Sequence, residues 1–102
     1  MATVHATFSD NATTNTNVGD ITTDHGLTIN YGASRGTDYQ AGTISILSKV
    51  ATVDWNWSYF ATDIGMTLTT DISGNNIRLV AVVDNSSVND VIFNYNITII
   101  TL

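Results

Sequence analysis

Trp55, Trp57 and Tyr59 stand at alternate positions, and they are the side chains with the clearest capacity to bind something. On one extended strand they share a face, with rings about 7 Å apart, a row on which sugars could stack. The row has three possible fates. It fills the core between two sheets, the ordinary destination of large aromatics; it seals a seam between subunits; or it forms a glycan platform. Arg35, one of two arginines and next to Gly36, is a candidate to pair with Asp38 or with a neighbouring subunit. A local surface pair of that kind is worth only about 0–1 kcal/mol.

Catalytic and metal-binding chemistry finds little support in the residue types. His5 and His25 are the only histidines, twenty positions apart, with no Cys and no Glu to complete a ligand set. Asp71-Ile72-Ser73-Gly74-Asn75 places oxygens at alternate positions like the start of a calcium loop. Asn76 then occupies the place of the loop's glycine and Val82 that of its bidentate acid, so a turn fits better. The stretch from Asp84 to Asp90, DNSSVND, also gathers oxygens and reads as a hairpin loop. No pair of carboxylates and no G-x-S-x-G nucleophile elbow stands out. The expectation is no catalytic residue, no cofactor and no metal.

The elements that must carry these residues read as strands. From Ala51 to Phe60, apolar Ala51, Val53, Trp55, Trp57 and Tyr59 alternate with polar residues, and only Phe60 breaks the pattern. From Val91 to Ile100, one face carries Val91, Phe93, Tyr95, Ile97 and Ile99. Shorter runs lie at Thr3–Phe8, Gly26–Tyr31, Thr43–Leu47, Ile64–Thr70 and Ile77–Val83, separated by Asn-, Asp-, Ser- and Gly-rich turns. The fold expected is all-β, an antiparallel β-sandwich, jelly-roll-like or Ig-like, with about seven to eight strands. Residues 26–102 are expected to form the sandwich. Residues 1–25 supply an N-terminal strand and a polar segment, Ser9 to His25, that is a loop, an arm or an extended packing segment.

Composition narrows the partners. Only 12% of residues are charged, about half the usual share in soluble domains, so Thr, Asn and Ser must form the surface. The formal charge of −6 repels phosphate, which argues against nucleic acid and anionic membranes. No apolar run approaches the ~20 residues that span a bilayer, and the N-terminus lacks a signal-peptide pattern, so neither insertion nor export is expected. Cysteine is absent, which removes disulfides and thiolate chemistry. With no proline and three basic residues, exposed strand edges have few guards, and burial in an oligomer would protect them.

Three stretches carry a resemblance. They are RGTDYQAGTISIL from Arg35 to Leu47, DIGMTLTTDISGNNIRLVAVVDNSS from Asp63 to Ser87, and FNYNITII from Phe93 to Ile100. In this order and spacing the chain, over about Gly26 to Thr101, resembles a β-sandwich domain of bacteriophage structural proteins: tail-fibre, capsid-fibre and decoration components of tailed phages, often marine. The resemblance implies a virion location after synthesis in the host cytoplasm, a non-enzymatic role, homotrimeric assembly and docking on other virion proteins. Related domains often end much longer fibre chains, so standing alone favours a knob or decoration protein. The competing expectation is a carbohydrate-binding module that attaches a particle to host-surface glycan.

Overall fold

The computed structural model describes residues 3–102. Its eight strands are β1 (Val4–Phe8), β2 (Thr13–Asp20), β3 (His25–Arg35), β4 (Asp38–Lys49), β5 (Thr52–Ala61), β6 (Met66–Ser73), β7 (Asn76–Val83) and β8 (Val91–Thr101). They make an antiparallel β-sandwich in which a five-stranded sheet, β1-β8-β3-β4-β5, faces a three-stranded sheet, β2-β7-β6. No described helix is long and apolar enough to cross a membrane.

Two-residue periodicity builds the core. Leu27, Ile29 and Tyr31 of β3, Ile44 and Ile46 of β4, and Val91 and Phe93 of β8 point inward from the larger sheet. Ile77, Leu79, Ala81 and Val83 answer them from β7. Phe93 sits at the centre, with ring centroids 4.8 Å from both Phe8 and Tyr31, which joins β1, β8 and β3 through one aromatic cluster.

Three strands reach beyond what the sequence pattern predicts. Strands β3 and β4 run on to Arg35 and back from Asp38, because the hairpin ladder continues through Gly32, Ala33 and Ser34, which are too small or too polar to register as strand. The stretch from Ser9 to His25 contains β2, an edge strand on β7 whose Thr-Asn repeat buries Val18 alone. Its apolar partner supplies the hydrophobic contact that β2 itself lacks. A bulge between Asn17 and Gly19 lets β2 pass close to β3, where a Cβ on Gly19 would lie 2.7 Å from Leu27 Cδ1.

Arg35 corrects the surface pairing expected of it. It points inward from the end of β3 and is 4% exposed. Its Nε donates to the Asn89 carbonyl at 2.9 Å, one terminal nitrogen to the Ile64 carbonyl and Asp84 Oδ1, and the other to Asp10 Oδ1 and the Asp84 and Ser87 carbonyls. These oxygens belong to the β1–β2, β5–β6 and β7–β8 connections, each of which crosses from one sheet to the other. One planar fork thus closes the end of the sandwich. Asp38 faces it across the hairpin as a backbone partner only.

The β4–β5 turn is strained. Val50 and Ala51 have φ of 49° and 56°, the geometry of a primed two-residue turn, without the Asn or Gly that suits it. Branching at Cβ makes Val50 the less comfortable of the two.

Three outcomes follow. Arg35→Met leaves buried carbonyls and carboxylates without their donor and should cost about 3–5 kcal/mol in urea unfolding, where a surface pair would cost under ~1 kcal/mol. Replacing Val50-Ala51 by Asn-Gly relieves the turn and should raise stability by about 1 kcal/mol; an unchanged midpoint would mean the backbone carries no strain. Acid sensitivity follows from Asp84, whose carboxylate accepts from Ser86 and Arg35 and is held at about 2 rather than 3.8. The unfolded chain takes up that proton first, so its contribution is complete above pH 3.8 and is lost as pH falls towards 2. Asp71, lowered by its Arg78 hydrogen bonds, acts in the same direction. Melting temperature should stay level near neutrality and drop below about pH 4, with a shallower drop in Asp84→Asn.

Candidate functional site

The aromatic row lies on β5, one of the two edge strands of the larger sheet. The tight turn at Val50-Ala51 sets Lys49 opposite Thr52, and the ladder then places Ile46 beside Trp55, Ile44 beside Trp57 and Gly42 beside Tyr59. Directly paired residues point to the same side of a sheet. The three rings therefore share the inner face with the core residues Ile44 and Ile46. The opposing sheet is only three strands wide, so β5 overhangs it. Trp57 packs partly against the core, while Trp55 remains 41% and Tyr59 39% exposed.

Polar contacts hold Trp57. Its indole N–H donates to the Tyr31 hydroxyl at 2.9 Å, Tyr31 donates to Gln40 Oε1 at 2.8 Å, and Gln40 Nε2 donates to the Thr62 carbonyl at 2.9 Å. Each group uses the donor and acceptor its neighbour needs, so the chain runs in one direction from β5 through β3 and β4 to the β5–β6 connection. Burial pushes the Tyr31 phenol above its ordinary value, which keeps the proton that it donates. Gly42 makes the crossing possible. A Cβ there would come 2.8 Å from the Tyr31 hydroxyl and 2.4 Å from the Ser58 carbonyl. Sequence reasoning missed Tyr31, Gln40 and Gly42 as supports of the row. The available signal was that Gln40 and Gly42 share the parity of Ile44 and Ile46 and so face inward.

The rings do not form a flat row. Trp57 and Tyr59 stack on one another, with centroids 5.0 Å apart and planes inclined by 26°. Each spends one face on the other.

On the opposite, outer face of the same sheet the surface is polar and nearly uncharged. Asn30 accepts from Thr43 and donates to Asn96, and His5 hydrogen-bonds Asn94 at 2.7 Å. Phe60, which broke the alternation, belongs to this face and is 71% exposed near Tyr39 at one end. At the other end a depression of about 380 Å³ lies over Gly26, between Leu47 and Ile100.

The remaining candidates stay apart. Arg35 is committed inside the opposite end of the sandwich from the Val50-Ala51 turn. His5 is on the outer face, and His25 is buried on the inner face against the Thr23 carbonyl. Asp71 forms a two-point ion pair with Arg78 at 2.7 and 2.8 Å, and Gly74-Asn75 is the β6–β7 turn. The Asp84–Asp90 loop turns its oxygens towards Arg35 and its own backbone. Among the described residues, no three His, Cys, Asp or Glu side chains group as a metal site.

No family model matches the chain, and no curated protein does. Among solved structures, the chain is similar to the tailspike protein gp49 of Acinetobacter baumannii bacteriophage Fri1, a capsular polysaccharide depolymerase. The match has a TM-score of 0.57 and 14% identity, and covers 98% of this chain but 19% of the tailspike. At that identity the likeness is one of fold: the whole sandwich corresponds to about a fifth of a phage tailspike.

Proposed function

We propose that this chain is a non-enzymatic structural component of a bacteriophage particle, a capsid decoration or fibre-knob subunit or part of a tail fibre. It acts by assembling with itself and docking on other proteins of the virion. The observation that carries the reading is the likeness of the entire sandwich to a segment of a phage tailspike, in agreement with the motif resemblance in the sequence. The surface supports it. The larger sheet offers a broad face of Asn, Thr and Ser, on which association costs little charge desolvation.

Three carboxylates are shifted by local hydrogen bonds within loops and strands. Asp20 is lowered by hydrogen bonds from Thr22, Asp71 by Arg78, and Asp84 by Ser86 and Arg35. All three shift downward and are held ionised by neighbours that a stable loop or strand needs anyway. A second reading, a carbohydrate-binding module for host-surface glycan, is favoured by the exposure of Trp55 and Tyr59. Stacking between Trp57 and Tyr59 weighs against it, since a sugar platform needs free ring faces.

Immunogold electron microscopy of purified particles produced from the encoding genome checks the proposal. Label at regular positions on the capsid or tail is expected; protein that remains wholly in the soluble lysate while particles stay unlabelled would sink it. Retention on host polysaccharide, lost in a folded Trp55→Ala variant, would favour the second reading.

A further inference from the structure

We infer that the open edge of β5 is a self-pairing seam, on which two copies of this chain join antiparallel, β5 to β5, in a register centred on Asn56. In a two-residue hairpin the residues flanking the turn, here Lys49 and Thr52, exchange hydrogen bonds, and bonded and non-bonded pairs then alternate. Thr52, Asp54, Asn56 and Ser58 thus turn their backbone groups towards β4. Val53, Trp55, Trp57 and Tyr59 turn theirs outward. Strand β5 pairs with β4 alone, and no hydrogen bond reaches those outward groups among the described residues.

Edges of this kind are normally blunted by brevity, a bulge, Lys or Pro. Of the other edges, β1 is five residues long, β2 carries its bulge, and β6 is eight residues long with Asp71 as its one charge. Strand β5 is ten residues long, TVDWNWSYFA, with no bulge, no Lys and no Pro, and Asp54 is its one charge.

A second copy suits this edge because the strand is complementary to itself. Centred on Asn56, the register sets Trp55 opposite Trp57 and Val53 opposite Tyr59, so all four outward residues exchange two hydrogen bonds with their partners. Aromatic residues meet across the seam on the inner face. On the outer face Asn56 meets its own copy and Asp54 meets Ser58. The two Asp54 side chains end about 13 Å apart along the strand, at the rise of ~3.3 Å per residue, beyond the range at which salt leaves repulsion strong. The seam is isologous and closes at two copies. The exposed Trp55 and the Trp57–Tyr59 stack, left uncovered by the narrow opposing sheet, gain a partner.

The seam does not depend on the proposed function. A particle protein that never dimerises removes the seam alone, and a dimer absent from particles removes the particle role alone.

Light scattering after size exclusion, with hydrogen exchange read amide by amide, tests the seam. At tens of micromolar the expected mass is twice 11.0 kDa, and the Val53, Trp55, Trp57 and Tyr59 amides exchange as slowly as those of Asp54, Asn56 and Ser58. Asn56→Lys adds an outward charge that the monomer tolerates and places like charges at the seam's centre. Its mass should halve, with the outward amides becoming fast and the inward ones staying slow. Mixing Asn56→Lys with Asn56→Asp should restore the dimer. A monomeric wild type, an oligomer of any size that Asn56→Lys leaves intact, or outward amides protected only when dextran is added would each overturn the inference, the last in favour of a glycan platform.

Discussion

One guanidinium joins the two sheets. Arg35 is buried at the end of β3, where an unpaired charge would cost several kcal/mol, and every oxygen it needs comes from a connection between the sheets. Backbone bonds at Asp84 tie the same connections, its carbonyl accepting from the Asn11 N–H and its N–H donating to the Gly65 carbonyl. A domain with 12% charged residues therefore spends one of its three basic groups on internal closure. The long polar β7–β8 loop is ordered for the same reason: its carbonyls at Ser87 and Asn89 are turned inward onto Arg35. Two acids answer the single buried cation, at 2.9 Å each. Because Asp84 is half open to solvent and Asp10 less so, the pairing does not isolate a net charge in the core.

Unequal sheet width shapes the rest. Three strands cannot cover five, so the inner face of β5 continues past the core as an overhang. The hydrogen-bond chain from Trp57 to Thr62 keeps the overhang rigid: it ties the edge strand to the two strands behind it and to the connection that leaves it. Gly42 is the point on which this depends, since any side chain there would occupy the path of Tyr31. The edge is thus preorganised, with little conformational entropy left to lose on pairing.

The outer face of the larger sheet satisfies its polar groups without charge. Asn and Thr hydrogen-bond one another along rows across β8, β3 and β4. Tyr39 and Phe60 mark one end of that face and Leu47 and Ile100 the other. With few charges on it, this face leaves specificity to contour and hydrogen-bond pattern.

Much of the fold was legible in the residues alone, because alternation has a physical cause: a strand buried on one side must place apolar groups every second residue. Val91, Phe93 and Tyr95, or Ile77, Leu79 and Ala81, announce strand and inward face together, and seven strands follow from that rule. Strand β2 escaped it because its stability comes from its neighbour β7 and not from its own side chains. Arg35 escaped it because a lone arginine beside a glycine looks the same whether solvent or seven protein oxygens surround it. Whether Trp55 and Tyr59 would be covered depended on how many strands the facing sheet contains. Sequence by itself determined the β-class, the turns, the inner faces and the scarcity of charge, all of which rest on local periodicity and composition. Only the tertiary structure decided which end Arg35 closes, which edge stays open and what the aromatic row faces, because those depend on pairings between residues far apart in the chain.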